Sequence, residues 1–136
     1  MARARAEPEK IATPGLRTLK RRAEFLRVRK GARWATAAFV LEAKPRSGEA
    51  RPSAAYESGA RFGFTVTRQV GKAVERNRIR RRLRAAVREV GADHAKGEFD
   101  YVLIARRPAL TSDFGALRSD LVKAFERVHR APAKGR

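Results

Sequence analysis

Apolar and polar residues alternate most strictly at Arg61–Thr67 (RFGFTVT). Phe62, Phe64 and Val66 fall on one side and Gly63, Thr65 and Thr67 on the other, the period of a strand with one buried face. Gly63 stands opposite the phenylalanines, where backbone can approach a neighbour closely. Asp100–Ala105 (DYVLIA) is a continuous apolar run, which predicts a strand covered on both faces and central in its sheet. The composition of Trp34–Glu42 predicts one more strand. Spacing of three and four predicts helices elsewhere. Phe25 and Val28 mark a short one from Arg22 to about Gly31. Ile79, Leu83, Ala86, Val87 and Val90 mark another from about Ala73 to Val90, with Gly91 as its stop. Phe114, Leu117, Leu121, Phe125 and Val128 mark the last, capped by Thr111 or Ser112.

Residues 44–60, rich in Pro, Gly and Ser, read as a flexible loop, residues 1–16 as a flexible basic arm, and 131–136 as a tail. One domain over 17–130 is expected.

Charge changes this picture most. The 136 residues hold 33 Lys and Arg against 14 Asp and Glu, a formal net charge of +19. Such an imbalance points to a polyanionic partner, nucleic acid before membrane. With no Cys there is no disulfide framework, no Cys-ligated metal and no thiol nucleophile. No apolar stretch is long enough to span a membrane, and the basic first residues lack the apolar region of a secretory signal. A cytoplasmic protein is expected.

Two blocks carry most of the excess: residues 1–30, with 10 basic and 3 acidic residues, and residues 61–88, with 10 and 1; the second contains Gly71–Arg84 (GKAVERNRIRRRLR). On a helix, Arg76, Arg80, Arg84 and Arg88 form one row at i, i+4. Asn77 and Arg81 are expected beside it, next to the buried stripe, with Arg78 and Arg82 on the far flank. Like charges at this spacing cost about 0.2–0.5 kcal/mol per pair. Glu75 is the only acid early in the helix. A row of this kind makes sense if an anion neutralises it, and guanidinium forks suit phosphate oxygens. Gly71-Lys72 lacks the following Ser or Thr of a phosphate-binding loop.

Other residues read as structural. Phe62, Phe64 and Tyr101 are core candidates, Trp34 covers a sheet edge, and His94 and His129 read as surface residues. Asp93, Glu98 and Asp100 are close enough to suggest a metal site, but a turn-capping role is expected. A protein nuclease acting alone would need clustered carboxylates or histidines, and the basic segment offers Glu75 alone.

Taken together, Arg61–Arg84, then Asp100–Pro108 (DYVLIARRP), and upstream Leu19, Phe25, Val28, Gly31 and Phe39–Leu41 resemble the bacterial ribonuclease P protein subunits, over about residues 17–130. The resemblance implies an α+β fold: a single-domain sandwich of order αβββαβα. It is similar to the second domain of ribosomal protein S5, with a left-handed βαβ crossover. It implies a protein that assists a catalytic RNA in removing the 5′ leader of precursor tRNA. The magnesium ions are expected on the RNA and no cofactor on the protein. No membrane and no obligate protein partner are expected. Carried over by position, the face for the RNA subunit is Arg68, Lys72, Arg76, Asn77, Arg78, Arg80, Arg81 and Arg84. The leader cleft is Phe25, Arg29, Phe39 and Gly63. Arg29 and Glu42 stand where the family often has aromatics. A ribosomal or general structural RNA-binding protein of similar fold is the alternative.

Overall fold

The computed structural model describes residues 17–46 and 59–130. The elements in chain order are β1 (Arg17–Thr18), α1 (Arg22–Arg29), β2 (Ala32–Ala35), β3 (Phe39–Pro45), β4 (Arg61–Thr65), α2 (Ala73–His94), β5 (Phe99–Ala105) and α3 (Phe114–Arg130). Single 3-10 turns at Arg68–Val70 and Arg107–Leu110 lead out of β4 and β5. The expected order αβββαβα is present, preceded by the two-residue β1.

The five strands lie in the order β1-β4-β5-β3-β2. β5 is central, as its unbroken apolar run requires. It runs parallel to β4 and antiparallel to β3. The predicted strand Trp34–Glu42 is in fact a hairpin. The Thr36 amide donates to Phe39 O (2.7 Å), and the Phe39 amide donates back to Thr36 Oγ1 (3.1 Å). A threonine side chain here does what Gly or Asn does in commoner turns, so no break signal marks the turn in the sequence. β3 also runs to Pro45, taking Lys44 and Pro45 from the predicted loop, whose residues 47–58 lie outside the described residues, like the arm and tail.

The two sheet faces are unequal. Phe39, Leu41, Tyr101, Leu103 and Phe62 project towards α2 and α3 and form the main core with Ile79, Leu83, Leu121 and Phe125. The other face carries only the short α1, over a small cluster of Leu19, Val28 and Val102 with Phe25 and Ile104 packed against it. The stripes predicted for α2 and α3 are buried except at Val90 and Phe114, which are partly buried and pack against the core. α2 does not stop at Gly91 but continues to His94. Gly91 is buried inside the helix near Val87 and Phe62, where a Cβ would make only ordinary contacts at 3.4 and 3.9 Å, so it neither terminates the helix nor is required by close packing. Asp113, not Thr111 or Ser112, caps α3 through the Ala116 amide (3.1 Å).

The histidines are not surface residues. His129 is half-buried against Phe99 and Phe125, and His94 stacks on Phe125. The Lys96 amide donates to the Tyr101 hydroxyl (2.8 Å), which leaves that hydroxyl to donate to His129 Nε2 at 2.7 Å. Burial, with Lys96 nearby, pushes the His129 pKa down, consistent with a neutral, accepting ring. Asp100 is not a turn cap either. It lies fully buried in β5, where Arg27 (2.9 Å), Arg46 (2.6 Å) and Arg61 (2.7 Å) converge on its carboxylate. Burial alone would raise its pKa; the three guanidiniums overcome this and hold it low.

Candidate nucleic-acid interface

α2 presents two kinds of basic residue. Asn77, Arg78 and Arg81 are exposed, as are Arg68 and Lys72 at the approach to the helix. Asn77 and Arg81 therefore sit away from the buried stripe, not beside it as expected. Arg76, Arg80 and Arg84 are half-buried on the flank. Arg76 Nε donates to Gly71 O (3.2 Å), Arg80 donates to Asn77 Oδ1 (2.9 Å), and the Arg84 guanidinium lies over the Phe64 ring at 5.4 Å. These contacts hold the side chains in fixed directions, which lowers the ordering cost of meeting a rigid polyanion. Arg82 turns the other way, donating to the Ser112 carbonyl, and is structural.

Glu75 does not neutralise this face. One of its oxygens accepts the Lys72 amide (2.9 Å), the carboxylate half of a capping box. Arg107 grips both oxygens, at 2.9 and 3.2 Å. The Arg107 hydrogen bonds, then the Lys72 amide, lower the Glu75 pKa to about 2. Sequence reasoning missed Arg107, which lies far away in the chain, and it missed Val74. That side chain is 73% exposed amid the basic residues. Its position opposite the stripe was readable from helical spacing.

The second region lies on the other side of the sheet. Phe25 and Gly63, predicted together, do meet: a Cβ on Gly63 would stand 2.4 Å from Phe25 Cε2. The missing side chain is what lets α1 settle its ring on the sheet. Phe25 remains half-buried rather than enclosed, and Arg29 is exposed in the last turn of the helix. Phe39 does not belong here. It is fully buried in the main core on the opposite face. Side chains alternate along β3, so the residues that share the α1 side are Val40 and Glu42. Arg33, paired with Glu42 across the hairpin, adds a basic group that sequence reasoning missed. Only the register of the hairpin brings it to this face. Among the described residues, no group of three or more His, Cys, Asp or Glu could hold a metal ion, and no helix is long and apolar enough to cross a membrane.

An α+β sandwich with an arginine-lined helix on one side and a separate surface around α1 with exposed Arg29 and Arg33 on the other has the features of a nucleic-acid-binding protein. The ribonuclease P family matches residues 14–129, and the chain belongs to that family. It is 44% identical over 111 residues to the "Ribonuclease P protein component" of Paramagnetospirillum magneticum, covering 81% of this chain and 80% of that one. It is 42% identical over 118 residues to that of Brucella suis, covering 86% and 79%. The ribonuclease P protein of Thermotoga maritima superimposes with a TM-score of 0.63 at 25% identity, covering 85% of this chain and 97% of that one. The Staphylococcus aureus protein gives 0.63 at 26% identity, covering 81% and 93%. The family is the protein component of a tRNA-processing ribonucleoprotein, so RNA is this chain's partner.

Proposed function

We propose that this chain binds the catalytic RNA of ribonuclease P through the exposed face of α2, and the 5′ leader of precursor tRNA through the cleft between α1 and the sheet. The observation that carries this reading is the separation of two basic surfaces by the sheet, which lets one protein touch two RNA segments at once. Arg68, Lys72, Arg78 and Arg81 supply phosphate contacts on the first surface, with Asn77 and the flanking Arg76, Arg80 and Arg84. Phe25 and Arg29 act on the second, over the floor at Gly63. Bond cleavage belongs to the RNA, which carries the magnesium ions. The protein adds affinity for leader-bearing substrate and screens the repulsion between two RNAs.

Reconstitution tests this. The protein is mixed with a candidate catalytic RNA and precursor tRNA at low magnesium. Cleavage at the 5′ end is expected only with both components present, and with tighter binding of leader-bearing than mature tRNA. Cleavage by RNA-free protein, or no effect of the protein on the RNA's activity, would refute the reading. A structural RNA-binding role would instead give binding without any gain in cleavage.

A further inference from the structure

Two carboxylates are buried on the sheet face beneath α1, and they are held in opposite ways. Asp100 has three guanidiniums within 2.9 Å. Glu42 is also enclosed, at 2% exposure, yet its one ion pair is to Arg33 Nη1 at 3.9 Å and it has no hydrogen bond among the described residues. A buried carboxylate without hydrogen bonds costs stability. Nothing in the packing asks for one there: its partner across the strands is Val102, which an aliphatic residue would match. Burial raises the Glu42 pKa, and Arg33 and Arg29 only partly counter this. Those two arginines, from β2 and α1, are exposed at the rim. The Arg33 side chain, 59% exposed, has room to swing towards a phosphate and uncover the carboxylate.

A carboxylate in a cleft meant for a polyanion repels phosphate and attracts hydrogen-bond donors. RNA carries paired donors on its base edges. Guanine presents N1–H and N2–H side by side, which match the two oxygens of one carboxylate. Uracil presents a single N–H between two carbonyls, which the carboxylate repels. We propose that Glu42 is a specificity-determining residue of the cleft: its carboxylate accepts the N1–H and N2–H of one leader guanine while Arg33 and Arg29 hold the adjoining phosphates. This inference rests on the leader-binding reading above.

The test uses holoenzyme reconstituted with wild-type protein, Glu42→Gln or Glu42→Leu. The probes are precursor tRNAs that differ in a single leader nucleotide, varied at each position in turn. Wild type is expected to bind guanine over uracil at one position by about tenfold, the discrimination of a good bidentate pair. In both variants that ratio falls to near one, while affinity for mature tRNA is unchanged. The thermal midpoint of Glu42→Leu holds or rises, because a poorly compensated buried charge is gone; a residue kept for the fold would lower it. Leader-dependent binding with no guanine preference, or a preference that survives Glu42→Gln, overturns this inference and leaves the leader reading intact. Equal wild-type affinity for leader-bearing and mature tRNA overturns both.

Discussion

One methyl group at position 63 tests the two proposed RNA surfaces separately. In Gly63→Ala the new Cβ would lie 2.4 Å from Cε2 and 2.6 Å from Cζ of Phe25, and 3.2 Å from Leu19 Cδ1. Ordinary contact starts near 3.4 Å, so the Phe25 ring has to retreat by about 1 Å. It can do so by rotating or by lifting α1, and either change opens the small cluster it shares with Leu19, Val28 and Val102. Overpacking of this kind costs about 1–3 kcal/mol, which in a domain of this size is a midpoint loss of roughly 4 °C or more. α2 lies across the sheet and is untouched. Calorimetry of the free protein should therefore show the midpoint loss. Binding assays should show about a tenfold loss for leader-bearing precursor, where a stacked base contributes about 1–3 kcal/mol. Affinity for the catalytic RNA should stay within error. The double variant Gly63→Ala/Phe25→Leu checks the cause, since relieving the clash should make its destabilisation smaller than the sum of the singles. A midpoint loss without leader-selective loss would refute the assignment of Phe25 and Gly63 to the cleft. No midpoint loss at all would refute the close approach itself.

Replacing the exposed Arg68, Arg78 and Arg81 together by Ala should leave the midpoint unchanged and reduce the log–log salt slope of catalytic-RNA binding by about 0.7–0.9 for each phosphate no longer neutralised, as titrations across ionic strength will read. Arg84→Ala should differ by also lowering the midpoint, because its guanidinium covers Phe64. Asp100→Asn should cost about 3–5 kcal/mol in denaturant unfolding, because it leaves three arginines facing a neutral group. Its lowered pKa gives stability that is present above the ordinary carboxyl pKa and lost as pH falls through the folded value. His129 acts at milder pH. Its folded pKa is depressed, so below about pH 6.5 the unfolded chain takes up the proton first and stability falls; His129→Gln should flatten that limb of a midpoint–pH curve.

What could be read from the chain followed from periodicity. β4 and the buried stripes of α2 and α3 were legible because one face of each is apolar and a strand or helical period identifies it, and β5 because its run is apolar on both faces. The hairpin at Thr36 was not, because a side-chain turn looks like ordinary strand composition. The resemblance places Phe39 in the cleft by motif position, but the register of the hairpin turns Phe39 to the main core and brings Arg33 beside Glu42 on the α1 face. In α2 the row of arginines was legible, but which side of it faces water depended on packing against Phe64 and on Arg107 from a distant turn. Long-range ion pairs, such as the three arginines on Asp100, have no local signature at all.

The central place of β5 has a consequence for how the chain is made. β3 and β4 share no edge; β5 lies between them. A chain emerging from the ribosome therefore displays two unpaired strand edges, and then the arginine-rich α2, before the strand that joins them exists. Arg27, Arg46 and Arg61 likewise precede their common counter-charge, Asp100, by 39 residues or more. Native pairing is thus mostly distant in sequence, which slows folding and postpones it until Ala105 is available. During that interval the nascent chain is a positively charged, unclosed polymer, and the step that closes the sheet is also the one that brings Arg27, Arg46 and Arg61 their shared carboxylate.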